Sequence, residues 1–265
     1  ITFPLKRKKK LSTYWKIVRE LRKENGELGV IFVNTFISAL LFRLGNVKKN
    51  IGYNREGRGF LLDFSPEINY HKHYINRYAF LFNEYIGNKY VYLPELSLRY
   101  TGQKTFQFDN SHKTIALYLG GENKEFRKYP DEYAVQLLRL LNRQGYNLLL
   151  IGDENDNIKH TQYAEEARID HLINLTARTT IEGFINTIAN VDLIITIDSS
   201  ALHIAAAVKT PFIALMGLST SPTSTILPKV PLGRILKIEN NLIREEDYIR
   251  NITPDLILKT ISELI

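Results

Sequence analysis

The sequence has no cysteine, and only one methionine and one tryptophan among its 265 residues. Without cysteine the chain can form no disulfide bond and supply no thiolate for catalysis, a composition that fits the reducing cytoplasm. It also lacks an apolar run of the roughly 20 residues that cross a bilayer, and the loop motifs of P-loop nucleotidases and serine hydrolases. What remains is the composition of a globular protein, with 44% hydrophobic and 24% charged residues.

Acidic residues are scarce in the front part of the chain. Residues 1–112 contain 19 Lys and Arg against 9 Asp and Glu, whereas residues 113–265 contain 16 against 19. A positively charged front part indicates an anionic partner, such as an acidic lipid surface, a phosphorylated substrate or nucleic acid. The run KRKKK at residues 6–10 is either a solvated basic turn or a contact with anionic lipid head groups. Because no RNP-like or zinc-finger pattern is present, we expect no nucleic acid partner.

Candidate metal ligands are also few. His71 and His73 are only two residues apart, and no acidic pair recurs at ligand spacing. We therefore expect no metal site and no cofactor.

One stretch organises the rest of the chain. The β-branched, apolar run Leu193–Ile197 predicts a buried parallel strand, and Asp198–Ser200 is suited to cap the helix predicted over Ala201–Val208. Pro211 prevents that helix from continuing. The polar cluster therefore follows a strand and begins a helix, where backbone N–H groups and the helix dipole favour an anion. His203 belongs to the first turn of this helix and is expected to face the same ligand.

The second half alternates predicted strands with predicted helices. Such alternation favours a parallel sheet covered by helices on both faces. Residues 92–112 contain Pro94, Gly102 and several polar residues, which is typical of an extended connector. We therefore predict two domains, residues 1–105 and residues 106–265.

Two further loops follow predicted strands of the second domain. Gly120 and Gly121 permit a close backbone approach, and Arg127 with Lys128 a few residues later would suit a pyrophosphate unless both are ordinary surface charges. Glu154, in the turn after the next strand, would accept hydrogen bonds from a ribose or serve only as a favourable acid at a helix N-terminus. Because the carboxyl ends of parallel strands share one edge of a sheet, we expect these loops to meet at one crevice.

Several segments carry a family resemblance. The block DSSALHIAAA at 198–207, followed by PFIALMG at 211–217 and LSTSP at 218–222, resembles the signature of glycosyltransferase family 9, the ADP-heptose:lipopolysaccharide heptosyltransferases. GGENKEFRKYP at 120–130 resembles the family's P-G-A…K-R-W-P loop. Weaker similarities are found in the segments NLTARTT, NTFISAL and IGY, so the resemblance extends over nearly the whole chain.

This resemblance implies a GT-B-like α/β fold, with two Rossmann-like domains that each contain a parallel sheet. The C-terminal domain would hold a nucleotide-sugar. Among the residues matched by position, Glu154 would contact the ribose. The others would contact the diphosphate and the donor sugar, and they are Arg127, Lys128, Asp198, Ser199, Ser200 and His203.

The resemblance also implies an activity. The protein is expected to move a sugar, heptose by family default, from an ADP-linked donor to a lipopolysaccharide core or similar glycan, by inverting direct displacement without a metal. Its partners would be the nucleotide-sugar donor and an anionic glycolipid acceptor. We expect a cytoplasmic protein that makes peripheral contact with the inner face of the bacterial inner membrane.

The sequence departs from the family pattern at three places. Ser200 replaces a glycine, and Arg127 replaces a lysine. Residues 1–30 show no counterpart of the family's early Gly-Asp loop, whose Asp acts as catalytic base, so we expect an N-terminal domain without its first β-α-β unit and name no catalytic residue. Two alternatives therefore stay open, a catalytically inactive nucleotide-sugar-binding remnant and a sugar-nucleotide epimerase on the same fold.

Overall fold

A computed structural model describes residues 11–91, 95–217, 226–228, 230–238 and 244–265. The run KRKKK and the segment LSTSP lie outside these residues. The chain divides into two compact units, Ile1–Pro94 with Ser224–Ile226 and Glu95–Thr223 with Leu227–Ile265.

The division between the units comes earlier than the predicted one between residues 105 and 106. Residues 95–105 belong to the second unit because their backbone is bonded to it. The N–H groups of Thr101 and Gly102 each donate to Oδ1 of Asn186 at 3.2 Å, and the N–H of Leu98 donates to the carbonyl of Ala207 at 3.1 Å. A segment with the composition of a connector is therefore part of a folded unit.

The first unit contains a two-stranded parallel sheet and three α-helices among its described residues. Its strands run in register from Leu28 beside Lys49 to Ile31 beside Gly52. The hydroxyl of Thr35 accepts a hydrogen bond from the N–H of Ser38 at 3.3 Å and so caps the second helix. In chain order the elements are α1 (Leu11–Glu24), β1 (Leu28–Ile31), α2 (Phe36–Leu44), β2 (Lys49–Gly52), a 3₁₀ turn (Gly59–Leu61) and α3 (Tyr74–Tyr85).

A buried guanidinium shapes the connection between β1 and α2. Arg58 is fully buried, and the acceptors of its five hydrogen bonds are the carbonyls of Tyr53, Val33 and Thr35, the hydroxyl of Ser38 and Oδ1 of Asn34. Glu56 adds a further bond, since its Oε2 accepts the N–H of Phe36 at 3.0 Å. The NTFISAL segment is thus held in place by a residue far along the chain.

The second unit is built on a six-stranded, all-parallel sheet in the order β5-β4-β3-β6-β7-β8. The predicted alternation of strands and helices is confirmed, and the strand Leu193–Ile197 has the predicted bounds. The elements in chain order are β3 (Thr114–Tyr118), a 3₁₀ helix (Glu122–Arg127), α4 (Asp131–Arg143), β4 (Asn147–Leu150), α5 (Asn157–Ala167), β5 (Leu172–Asn174), α6 (Ile181–Ala189), β6 (Leu193–Ile197), α7 (Ser200–Val208), β7 (Phe212–Leu215), β8 (Gly233–Leu236), a 3₁₀ helix (Glu245–Asn251) and α8 (Pro254–Ile261).

The core of this unit surrounds the central strands. Every residue of β3, β4, β6 and β7 is buried, as expected of a parallel sheet covered on both faces. Small side chains, including those of Ala201, Ala205 and Ala206, are buried on α7 and let this helix lie close to its neighbours. None of the helices within the described ranges combines the length and apolarity that crossing a bilayer requires.

Candidate functional site

The strand order reverses between β3 and β6. After β3 the chain adds β4 and β5 on one side, and it then returns to form β6 on the other side of β3. Open parallel sheets bind ligands beyond the carboxyl ends of their strands at such a reversal. The two loops at this point, residues 119–121 after β3 and residues 198–199 after β6, both belong to motifs singled out in the sequence.

Glycines bring neighbouring loops into direct contact. A Cβ atom on Gly121 would lie 2.6 Å from the carbonyl oxygen of Asn155 and 2.7 Å from Cα of Asp156, in the loop after β4. Gly120 has a φ of +80°, and a Cβ there would lie 2.7 Å from Cδ1 of Ile197, the last residue of β6. The loops after β3 and β4 thus touch each other beside the end of β6 because these two positions carry no side chain.

The loop after β7 approaches the same region. A Cβ atom on Gly217 would lie 3.0 Å from the carbonyl oxygen of Phe126, the residue before Arg127. Arg127 itself ends the 3₁₀ helix after β3 and is half-buried. Within the described part of the chain its guanidinium forms no ion pair.

Unlike Arg127, Lys128 is bonded to a carboxylate of the same unit. Its ammonium donates to Oδ1 of Asp131 at 2.7 Å, and the same oxygen accepts the hydroxyl of Tyr163 at 2.5 Å. Oδ2 of Asp131 accepts the ammonium of Lys159 at 2.9 Å. Partial burial alone would raise the pKa of Asp131, but the hydrogen bonds from Lys128, Tyr163 and Lys159 lower it to about 2. The charge of Lys128 is thus already balanced, and its predicted diphosphate contact would require this group to separate.

Replacing Asp131 tests this interpretation of Lys128. Asp131→Ala leaves two ammonium groups and a hydroxyl without their acceptor, and we expect the free energy of unfolding at pH 7 to fall by about 1–2 kcal/mol. The lowered pKa means that the contribution of Asp131 is complete above its ordinary pKa of 3.8 and fades as the pH falls towards 2. Chemical denaturation at several pH values measures both effects.

Glu132 provides a matched control for Asp131. It occupies the same helical turn and pairs with Arg250 at 2.9 Å, but the two side chains are 60% and 56% exposed. We therefore expect Glu132→Ala to cost about 0.5 kcal/mol or less. Equal losses in the two variants would show that Asp131 is an ordinary surface acid.

Ser199 serves the helix that follows it. It has the extended backbone of an N-cap, and its Oγ accepts the N–H of Ala201 at 3.2 Å, as predicted. The same Oγ lies 3.0 Å from Oγ1 of Thr196. Asp198 is half-buried just before the cap, Ser200 is exposed at the first helical position, and His203 is exposed on α7. The sequence-predicted cluster is thus gathered at one helix N-terminus, and its contact with a donor stays a prediction.

Glu154 is exposed in the loop after β4, beside an ion pair that the sequence did not reveal. Lys124 places its Nζ atom 3.3 Å from Oδ2 of Asp153 and 5.6 Å from the centroid of the Tyr118 ring. This pair joins the loops after β3 and β4. The only sequence signal for Lys124 was its place in the glycine-rich loop, which names no partner.

Buried polar side chains lie directly beneath these loops. Asp156 is fully buried, and its Oδ2 accepts the N–H of Asp153 at 2.9 Å. His160 is also fully buried, with Nδ1 2.8 Å from Oγ1 of Thr176. Burial lowers the pKa of His160 to about 4, against the opposite influence of the nearby Asp156 and Asp153 carboxylates. Burial therefore favours the neutral form of the imidazole on which these loops rest.

Metal ligands do not cluster in the part of the chain that the structure describes. No group of three His, Cys, Asp or Glu side chains stands close enough there to hold an ion. The arrangement at the switch between β3 and β6 instead offers one half-buried guanidinium, a capped helix N-terminus and an exposed carboxylate. These groups suit an anionic ligand that also carries hydroxyl groups.

A comparison with known protein families identifies the family of this chain. The family model described as glycosyltransferase family 9 (heptosyltransferase) matches residues 14–246. The chain belongs to this family. It is therefore an enzyme that transfers a sugar, and family membership favours this function over the epimerase and over the inactive remnant.

Related proteins agree with this assignment. The chain is 26% identical to lipooligosaccharide heptosyltransferase 2 of Haemophilus influenzae, over 96% of this chain and 81% of the relative. It superposes on the E. coli ADP-heptose lipopolysaccharide heptosyltransferase II with a TM-score of 0.82 at 21% identity, over 96% and 81% of the two chains. An E. coli heptosyltransferase solved with ADP-2-deoxy-2-fluoro heptose gives a TM-score of 0.71 at 15% identity, over 96% and 78%. The predicted GT-B-like α/β fold class is thereby confirmed.

Proposed function

We propose that the protein transfers heptose from an ADP-linked donor to a lipopolysaccharide core acceptor, by inverting direct displacement without a metal. The observation that carries this proposal is the meeting of the loops after β3, β4 and β7 beside Arg127, at the sheet edge where α7 also begins. The names of the relatives support the sugar and the acceptor. The relative solved with ADP-2-deoxy-2-fluoro heptose supports the nucleotide.

This site would stabilise the negative charge that develops on the leaving diphosphate. As the acceptor hydroxyl attacks the anomeric carbon, the bond to the diphosphate breaks and negative charge grows on the diphosphate oxygens. The guanidinium of Arg127 and the N-terminal end of α7 would offset that charge without reorganising. A forked guanidinium can bond two phosphate oxygens through parallel N–H groups of fixed geometry, whereas the ammonium of a lysine acts as a compact point charge.

The remaining predicted residues take roles on either side of the diphosphate. The exposed carboxylate of Glu154 would hold the ribose hydroxyls, while Asp198 and His203 would contact the sugar. Ser200 adds a hydroxymethyl group where the family has glycine, so it would narrow the approach to the diphosphate. Residues 1–30 hold no counterpart of the family's Gly-Asp loop, and we therefore assign donor-side roles only.

The acceptor is proposed from charge. Residues 1–112 carry a clear excess of Lys and Arg, whereas residues 113–265 do not. A phosphorylated, anionic core glycolipid would be attracted to the first of these regions. We also propose that the protein binds the donor and the acceptor in the cytoplasm.

Binding and turnover separate this proposal from its alternatives. Calorimetric titration with ADP, UDP and GDP should show measurable binding that is tightest for ADP. ADP-heptose should then be consumed only when a core acceptor is added, and the product should have the inverted anomeric configuration. Consumption without acceptor would indicate an epimerase, and ADP binding without any turnover would indicate a remnant. If none of the three nucleotides binds, the donor site is wrongly placed.

A further inference from the structure

Lys124 lies in the loop after β3, on the same side of a short helix as Arg127. Both residues belong to the 3₁₀ helix Glu122–Arg127, in which side chains three residues apart project in the same direction. The stem of Lys124 packs over Gly120, where a Cβ atom would lie 3.1 Å from its Cγ and 2.7 Å from Cδ1 of Ile197 at the end of β6. A second cation is therefore placed where the strand order reverses.

The ammonium of Lys124 faces a carboxylate from the next loop. Its Nζ atom lies 3.3 Å from Oδ2 of Asp153 and 5.6 Å from the centroid of the Tyr118 ring. The side chains of this ion pair are 19% and 49% exposed, and such pairs contribute little to stability. The other oxygen of Asp153 accepts the backbone N–H of Asn155 at 2.8 Å and its side-chain amide at 3.0 Å. Asp153 thus supports the turn of its own loop through an oxygen that Lys124 does not use.

Lys128, the other lysine that follows β3, is held more firmly. Its acceptor Asp131 receives three hydrogen bonds, at 2.7, 2.9 and 2.5 Å, from donors on two helices and the loop before them. Moving Lys128 would disturb that whole group. Moving Lys124 away from Asp153 gives up one contact of 3.3 Å, so Lys124 is the lysine that can change partner at low cost.

A bound diphosphate and Asp153 would both attract the ammonium of Lys124. Partial burial alone would raise the pKa of Asp153, but hydrogen bonds from Asn155 and the charge of Lys124 lower it, so this carboxylate is negative at neutral pH. A diphosphate is negative as well, and its charge-assisted hydrogen bonds with an ammonium are stronger than a partly exposed ion pair. The flexible stem of a lysine lets the ammonium turn from one anion to the other.

We propose that Asp153 and the donor diphosphate compete for Lys124, which binds the diphosphate in the complex and returns to Asp153 when ADP leaves. Asp153 is then an internal competitor that limits the affinity for ADP and favours its release as a product. Arg127 stays on the diphosphate throughout. This inference rests on the proposed function and adds to it a pair of residues outside the predicted site.

Lys124→Met tests the contact with the diphosphate. Methionine keeps an unbranched stem over Gly120 and removes the charge, so circular dichroism should show an unchanged fold. The calorimetric affinity for ADP should fall about tenfold, because a charge-assisted hydrogen bond is lost. The affinity for adenosine should change less than about twofold, because adenosine offers no phosphate to the ammonium.

Asp153→Asn is expected to act in the opposite direction. Asparagine keeps an oxygen for the N–H of Asn155 but releases Lys124, so ADP should bind about two- to fivefold more tightly. ADP should also inhibit sugar transfer at a correspondingly lower concentration. In the double variant with Lys124→Met, the Asp153→Asn exchange should no longer tighten ADP binding, because no ammonium is left to release.

Lys113→Met and Asp170→Asn are the matched controls. Both side chains are exposed shortly before β3 and β5, so they lie at the opposite edge of the sheet, one strand length from the proposed donor site. Charges at that distance are screened by salt, and each control should change the ADP affinity less than about twofold.

Four results would overturn the inference. Weaker ADP binding in both single variants would show that the ion pair only ties two loops together. Equal tightening by Asp153→Asn with and without Lys124 would indicate general repulsion of the diphosphate. Unchanged ADP affinity in Lys124→Met would remove the contact, and an equal loss of ADP and adenosine affinity would indicate a disturbed loop.

The same measurements separate this inference from the proposed function. If Arg127→Ala weakens ADP binding and Lys124→Met does not, the donor site stands and this inference alone is wrong. If the unaltered protein binds no nucleotide, the proposed function is wrong and this inference fails with it.

Discussion

Arg127→Ala is expected to lower kcat/KM for sugar transfer about 100- to 1000-fold. Loss of one preorganised group that stabilises charge in a transition state typically costs this much. The melting temperature should change little, because Arg127 is half-buried and forms no ion pair within the described part of the chain. Steady-state kinetics with ADP-heptose and a core acceptor, together with thermal unfolding, measure the two quantities.

Two further variants define what Arg127 does. Arg127→Lys should recover part of the activity, since a positive charge returns without the fork that binds two oxygens. Lys128→Met should change transfer less than about threefold and lower stability instead, because the ammonium of Lys128 is bonded to Asp131. Unchanged turnover in Arg127→Ala, or a larger loss in Lys128→Met, would remove the assigned role.

His203→Ala belongs to the same set of measurements. His203 is exposed on α7 and is expected to touch the sugar rather than the diphosphate. Its replacement should therefore reduce turnover of ADP-heptose while leaving calorimetric binding of ADP unchanged. A loss of ADP affinity equal to that of Arg127→Ala would place His203 on the diphosphate instead.

Gly121→Val is expected to reduce the free energy of unfolding by about 3 kcal/mol and to abolish tight ADP binding. A Cβ atom at this position would meet two backbone atoms, the carbonyl oxygen of Asn155 at 2.6 Å and Cα of Asp156 at 2.7 Å. Backbone cannot rotate away as a flexible side chain can, so the loops after β3 and β4 must separate. Chemical denaturation and calorimetry with ADP measure the two losses.

Gly26→Ala is the control for this loop contact. A Cβ atom there would lie 3.7 Å from Cγ1 of Val47, which is an ordinary packing distance. We expect its stability to stay within about 0.5 kcal/mol of the unaltered protein, with normal ADP affinity. Normal ADP binding by a folded Gly121→Val protein would contradict the close meeting of these loops at the donor site.

Local signals made much of the second unit predictable. The β-branched run of β6 gave its strand bounds, and Ser199 caps α7 as a residue of its type should. Such features depend on a few neighbouring residues. The family signature added the fold class, because its spacing reflects the whole architecture.

Contacts between distant residues were not predictable in the same way. Lys128 lies only three residues before its partner Asp131, but the second oxygen of Asp131 binds Lys159 from another helix. The ion pair of Lys124 with Asp153 likewise joins two loops. No pattern in the sequence encodes which of several cations will find a carboxylate after folding.

Arg58 illustrates how one side chain can restrain the evolution of a region. Its five hydrogen bonds reach five different acceptors because the guanidinium is planar and forked. A lysine at this position could donate at most three hydrogen bonds. Even the most conservative exchange would therefore undo the turn that precedes α2. Ile37 and Phe60, exposed beside this frame, can vary at little cost. Exposed positions beside this frame can thus vary among descendants of this chain while the turn that precedes α2 is inherited unaltered.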